Sequence, residues 1–164
     1  MIWIAIAVYV GAMVIANLTV YAFGPWLAPI NSFFLIGLDL TLRDGLQFRS
    51  LLSRPAMALL IVGSSLLTYV LNPAASQIAI ASAVAFALAG LADWLIFGLI
   101  KGAWLKRANG ANVVGSAVDS IVFPWLAFGA FLPLIVLGQF AAKVIGGAVW
   151  ALALNGLVKR EARK

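Results

Sequence analysis

A chain of 164 residues that is 65% hydrophobic and only 10% charged, with a mean hydropathy of +1.10, lacks the polar surface a protein needs in water. Soluble domains sit near 45–50% apolar and about 25% charged. The chain has no cysteine and no histidine, which excludes disulfides, thiolate zinc sites, haem ligation and a Ser-His-Asp triad. The net charge of +6 reads as topology anchoring rather than as a nucleic-acid footprint. The composition predicts an all-α membrane protein of six transmembrane helices, in a single domain over residues 1–164, multi-pass in the cell membrane. No cofactor, metal site or catalytic residue is expected.

The first span is predicted over Ile2–Phe23, retained rather than cleaved because no charged n-region precedes it. Asn17 is its one strongly polar residue. Two prolines within Gly24–Pro29 end it. Span 2 follows over Ile30–Phe48 and is long and apolar enough to cross, yet it carries Asp39, Arg43, Asp44 and Gln47. Asp39, Arg43 and Gln47 are four residues apart and share one helix face. Span 3 is predicted from Pro55, a favoured first-turn position, to Leu71, with small residues Gly63, Ser64, Ser65 and Thr68 that permit close packing.

Span 4 is predicted over Ala74–Ile100 and carries Gln77 and Asp93. The basic stretch Lys101–Gly110 reads as a loop. Span 5, over Ala111–Phe128, carries Asn112, Ser116, Asp119 and Ser120, with Pro124 inside it. Span 6, over Leu134–Val158, carries Gln139, Lys143 and Asn155. Six spans put Arg49, Arg54, Lys101, Lys106, Arg107, Lys159, Arg160, Arg163 and Lys164 on one side and no basic loop residue on the other. That asymmetry places both termini in the cytoplasm.

Asp39, Asp44, Asp93, Asp119, Arg43 and Lys143 all fall within predicted spans. An ionisable side chain at membrane depth costs at least ~2.5–3.5 kcal/mol on insertion scales, so each is expected to face the bundle interior. Asn112, Ser116 and Asp119 form one stripe of span 5, and Gln139 and Lys143 one stripe of span 6. A cavity shared by four helices is the economical explanation. The aromatics Phe33, Phe34, Trp94, Phe97, Phe123, Trp125 and Trp150 lie around it. Acids and amides between aromatic walls suit a flat polar ring, since a carboxylate accepts from two N–H groups on a guanine-like edge while aromatics stack on its faces. The competing reading is structural: Arg43 and Asp44 snorkelling toward the cytoplasm, Asp39–Arg43 a helix pair, and the remaining polar groups joining helices.

The order of these residues resembles the queuosine precursor transporter family, also called the VUT or vitamin-uptake-like family. The matching features are Ala16-Asn17, Pro29 followed by Asp39-Leu40-Thr41-Leu42-Arg43-Asp44-Gly45, Gly90-Leu91-Ala92-Asp93, Asn112, Ser116, Asp119-Ser120-Ile121-Val122-Phe123, and a mid-helix Lys143. The chain departs from the family pattern at Arg43-Asp44 and at Ala153-Leu154-Asn155. The resemblance implies import of a purine-like substrate, a 7-deazaguanine base such as 7-cyano-7-deazaguanine or its aminomethyl relative. Under it, Asn17, Asp39, Asp93, Asn112, Ser116, Asp119, Gln139 and Lys143 are the candidate substrate-binding residues, and Arg43 and Asp44 a gate or charge pair. Expected partners are the substrate and the lipid bilayer, with no nucleic acid, and homo-oligomerisation left open. The alternative is a substrate-binding subunit like the S-components of ATP-driven vitamin importers, with Ala5, Ala12 and Ala16 as a docking row for the energising ATPase. A non-transporting scaffold or pore would carry few buried charges, and an aspartyl dyad of Asp39 and Asp93 has no supporting motif.

Overall fold

The computed structural model describes residues 2–48 and 53–161. The described residues form helices and short connections only. α1 spans Ile2–Phe23. A 3₁₀ turn at Pro25–Leu27 leads into the second span, which is built from three pieces in one continuous rod. These are α2 (Ala28–Asn31), a π-helical turn at Ser32–Ile36, and α3 (Gly37–Phe48). Gly24 makes the sharp entry possible, because its φ of 81° lies where side chains crowd the backbone.

α4 covers Arg54–Leu71, and the Ser53 side chain caps its first turn by accepting from the Ala56 N–H at 3.4 Å. Asn72 does the same for the next turn, accepting from Ala74 N–H at 3.2 Å before Pro73–Ala75. α5 (Ser76–Leu99), α6 (Trp104–Phe128) and α7 (Pro133–Glu161) complete the chain. Five helical segments are long and apolar enough to cross a membrane, and the apolar stretch Pro55–Leu71 is a shorter sixth.

The helices close into a ring in the spatial order α1, second span, α7, α6, α5, α4 and back to α1. α5 and α6 make the most extensive contact, through small residues: Ala79, Ala85, Ala89, Ala108 and Ala111 are all buried. A Cβ on Gly115 would come within 3.3 Å of the Ala89 carbonyl oxygen. The second span and α7 also meet backbone to backbone, at Gly37, Gly146 and Gly147. In a membrane, where lipid is as apolar as leucine, this close approach rather than apolar burial holds helices together. The outside is correspondingly apolar, with Leu66, Val70, Leu88, Leu95, Leu134 and Leu137 exposed. The chain is a multi-pass membrane protein. Its even span number puts both termini at one end, and the basic residues mark that end as cytoplasmic.

One local feature differs from the sequence expectations, and a second shows what Pro124 does inside its span. Lys101–Gly110 is not a loop: α6 begins at Trp104, so Lys106 and Arg107 sit on its first turns. Arg107 donates from Nε and Nη2 to the Phe97 carbonyl at 3.2 and 3.1 Å and lies 4.1 Å from the centre of the Phe97 ring. It thereby serves a carbonyl in the last turn of α5, where helical partners run out. Pro124 does not interrupt α6, which runs through it. Proline supplies no N–H, so the Ser120 carbonyl four residues back loses its helical donor.

Candidate functional site

The polar residues gather in two layers. The outer layer centres on Lys143, which lies roughly 15 Å along α7 from its extracytoplasmic end. Burial leaves Lys143 1% exposed. An ammonium has three protons to donate, and three acceptors surround it. Asp119 Oδ2 lies at 2.6 Å, Gln139 Oε1 at 2.9 Å and Ser120 Oγ at 3.1 Å. Asp119 and Ser120 come from α6, Gln139 from one turn earlier on α7. Because Gln139 Oε1 faces the ammonium, its amide NH₂ must point the other way.

That arrangement leaves two groups unused. Asp119 Oδ1 and Gln139 Nε2 are both buried with no hydrogen-bond partner among the described residues. Both side chains line an enclosed cavity with Lys143, Asn17, Asn31, Ser32, Ser82, Phe86 and Phe123, every one of them buried. The cavity measures about 30 Å³, room for one or two waters. Ser32 and Ile36, at the two ends of the π-helical turn, form part of its wall. A π turn widens the helix locally and is found most often at functional positions. Asn31 is held in place by donating to the Ala16 carbonyl at 3.2 Å and to Thr19 Oγ1 at 2.8 Å, and Asn17 donates to Thr68 Oγ1 at 3.4 Å.

The inner layer lies toward the cytoplasm. Arg43 of α3 pairs with Asp93 of α5, Nη2 to Oδ2 at 3.0 Å, both buried. Asp39, one turn before Arg43, is 0% exposed, and neither carboxylate oxygen has a hydrogen-bond partner among the described residues. The buried Tyr9 hydroxyl is likewise unpartnered among them and feels the charges of Asp39 and Arg43. A groove of about 320 Å³ adjoins this layer between α4 and α5, with Arg43, Met57, Gly90 and Trp94 in its walls and the exposed Val62 and Leu91 at its outward-facing rim.

The candidate residues therefore divide. Asn17, Asp119, Gln139 and Lys143 line the enclosed cavity. Asp93 and Arg43 form the inner ion pair. Asn112 and Ser116 line neither the cavity nor the groove: Ser116 donates to Asn112 Oδ1 at 3.1 Å, and Asn112 Nδ2 reaches the Lys143 carbonyl at 3.4 Å, so the pair ties α6 to α7. Asp39 is buried beside the inner pair and is not in the cavity wall. The side chains of Asp44 and Gln47 lie outside the described residues. Of the aromatics, Phe123 lines the enclosed cavity and Trp94 the groove, whereas Phe34 and Trp125 face outward at 58% and 62% exposure. The row Ala5, Ala12, Ala16 is not a free docking face, since Ala12 and Ala16 are buried and Ala16 borders the cavity.

Four polar or aromatic cavity residues had gone unassigned: Asn31, Ser32, Ser82 and Phe86. A signal for the last two existed in α5. Ser82, Phe86, Ala89 and Asp93 recur at helical spacing, and all four are buried, so they form the inward stripe of that helix.

A ring of six membrane-crossing helices around a small cavity walled by buried side chains is a polytopic membrane protein. The family model described as "Putative vitamin uptake transporter" matches residues 1–155. The chain belongs to that vitamin uptake transporter family. No curated protein and no solved structure matches the chain.

Proposed function

We propose that the protein imports a purine-like base, a 7-deazaguanine of the queuosine-precursor type, through the enclosed cavity. The observation that carries this is the unused pair Asp119 Oδ1 and Gln139 Nε2. One is an acceptor and the other a donor, both on the wall of one cavity. A lactam edge presents the complement, an N–H beside a carbonyl. The base N–H would donate to Asp119 and its carbonyl would accept from Gln139, while Phe123 offers an aromatic face. A buried polar group without a partner is costly, about 1–3 kcal/mol, so a ligand that satisfies both gains specificity as well as affinity. At 30 Å³ the cavity holds a water or two, so admitting a base requires the helices around it to part.

Lys143 has a positioning role in this reading. It anchors one oxygen of Asp119 and the oxygen of Gln139, which leaves the other atom of each group for the base. Asp93 then serves Arg43 rather than the base. The direct test is uptake of labelled 7-cyano-7-deazaguanine by cells lacking their own route to it. Expression should confer uptake, and Asp119→Asn and Gln139→Glu should each abolish it at unchanged expression. Parent-like uptake by both variants would discard the site. Uptake in liposomes containing this chain alone distinguishes a self-sufficient carrier from the S-component-like alternative, which needs an ATPase partner.

A further inference from the structure

Asn31 ends α2, whose buried residues are Ala28 and Asn31, three apart on one face. It is 8% exposed and lines the small cavity with Asp119, Gln139 and Lys143. Its amide is held by α1. Nδ2 donates to the Ala16 carbonyl at 3.2 Å and to Thr19 Oγ1 at 2.8 Å. The chemistry of those partners forces this orientation. A carbonyl only accepts, and a hydroxyl has a single proton. The Thr19 proton goes to the carbonyls of Ile15 and Ala16, at 2.6 and 3.1 Å, so toward Asn31 the Thr19 oxygen can only accept. Both amide protons of Asn31 are thereby spent. What Asn31 still offers the cavity is an acceptor, its Oδ1.

Three groups of fixed polarity then line one space. Asp119 Oδ1 and Asn31 Oδ1 accept, and Gln139 Nε2 donates. The Asp119 charge is matched by Lys143 at 2.6 Å, so the wall calls for a neutral ligand. Asn17 keeps one amide proton besides its oxygen, and the hydroxyls of Ser32 and Ser82 turn to either polarity, so these three select little. The complement of the fixed set is a neutral molecule with two N–H donors and one acceptor. We propose that Asn31 is a specificity-determining residue of the site, selecting bases that carry an exocyclic amine beside the lactam. The inference rests on the transport reading, in which Asp119 and Gln139 take the lactam N–H and carbonyl. The amine supplies the second donor. A hydrogen in its place leaves Asn31 Oδ1 unpaired, and a second carbonyl sets two acceptors against each other. Asn31 cannot adapt by flipping its amide, because its oxygen would then face the Ala16 carbonyl. A site built to bond an N–H rejects an analogue lacking it far better than an apolar pocket rejects a missing methylene.

The test is competition against uptake of labelled 7-cyano-7-deazaguanine by cells lacking their own route to it. The unlabelled competitors are 7-deazaguanine, 7-deazahypoxanthine and 7-deazaxanthine, which differ only at the position of the amine. With the parent chain, 7-deazaguanine should compete about tenfold better or more than either of the others, the effect of leaving a buried acceptor unpaired. Asn31→Leu keeps the volume, removes the acceptor and should bring 7-deazaguanine and 7-deazahypoxanthine level. Thr19→Val leaves Asn31 in place, frees one of its amide protons and should narrow the same preference by a smaller factor. It stands in if the leucine variant takes up no label. The ratio between competitors is read rather than the rate, and looser packing of α2 on α1 alone would not move it. Absence of uptake by the parent would overturn the transport reading and the role of Asn31 with it. Uptake with equal competition by the three bases, or a parent-like ratio in Asn31→Leu or in its stand-in, would overturn the role of Asn31 and leave the transport reading in place.

Discussion

Two buried ion pairs divide the interior, and they differ in what surrounds them. Lys143–Asp119 stands in the wall of the small cavity, with one carboxylate oxygen and one neighbouring amide left over. Arg43–Asp93 is buried beside a third acid, Asp39, with Arg43 reaching the apolar groove between α4 and α5. In both cases removing a single partner strands a charge out of water, which in proteins costs roughly 3–5 kcal/mol, whereas replacing both partners by apolar groups is often nearly neutral. The two pairs should respond alike in stability when halved and unlike in transport when replaced whole.

The largest expected effects come from the outer pair. Lys143→Met or Asp119→Leu alone should lower the thermal midpoint in detergent markedly and abolish uptake. The double variant Lys143→Met/Asp119→Leu should recover most of the midpoint and none of the uptake, because the donor and acceptor arrangement facing the cavity is gone. The inner pair makes the contrast. Arg43→Met or Asp93→Leu alone should destabilise by a similar amount, while Arg43→Met/Asp93→Leu should recover the midpoint and a measurable part of the uptake. If the outer double variant transports like the parent, or the inner one loses all uptake, the assignment of binding to the outer layer is reversed.

The division into layers was only partly legible in the amino-acid sequence. The spans were, since runs of apolar residues between prolines and basic clusters have one physical solution in a bilayer. The stripes on single helices were too: Asn112, Ser116 and Asp119, and Gln139 with Lys143, do face inward. Helical spacing says which residues share a face, but it does not say which neighbouring helix that face meets. Spacing offered Arg43 a structural partner in Asp39, four residues before it, but could not name Asp93 of α5, with which Arg43 forms an ion pair. A single four-helix cavity was expected for the same reason, and an apolar layer containing Phe86 and Met57 divides it. The π-helical turn at Ser32–Ile36, which packs on α7, has no composition signal, because it is a change of backbone hydrogen-bond register rather than of residue type. The start of α6 was misplaced because Lys106, Arg107 and Asn109 read as a loop by polarity, yet a helix can extend past the membrane surface into water.

A smaller effect tests the packing that keeps the layers in register. A Cβ on Gly146 would collide with the carbonyl oxygen of Phe33, with the Phe33 Cα at 3.0 Å, and backbone cannot turn aside. A Cβ on Gly147 would instead meet the side-chain amide of Asn112. Gly146→Ala should therefore cost roughly 1–3 kcal/mol, as overpacking does elsewhere, and read as a lower thermal midpoint. Gly63→Ala, which meets nothing within 4 Å, should leave the midpoint unchanged. Equal behaviour of the two would mean that the second span and α7 are not held at the distance described.

The smallest effect concerns the turn that joins the two most extensively packed helices. Arg107 reaches back from the second turn of α6 to the last turn of α5, donating twice to the Phe97 carbonyl and stacking on its ring. The stretch 100–103 leaves little chain between the two helices, and this clasp adds to the small-residue packing that fixes their angle. Arg107 is half-buried, and water competes for its donors. The net value of such a clasp is about 1–2 kcal/mol, the sum expected for hydrogen bonds from a charged donor with partial solvent access. Arg107→Lys keeps the positive charge that anchors the loop in the cytoplasm but cannot donate in the same fork. It should lower the midpoint by no more than that amount and leave orientation unchanged. Arg107→Gln removes the charge as well, yet the remaining basic residues on that side keep both termini cytoplasmic. A larger loss of uptake than of stability in Arg107→Lys would show that the angle between α5 and α6 governs Asp93 and Phe86 directly, and would tie the cytoplasmic turn to the inner layer.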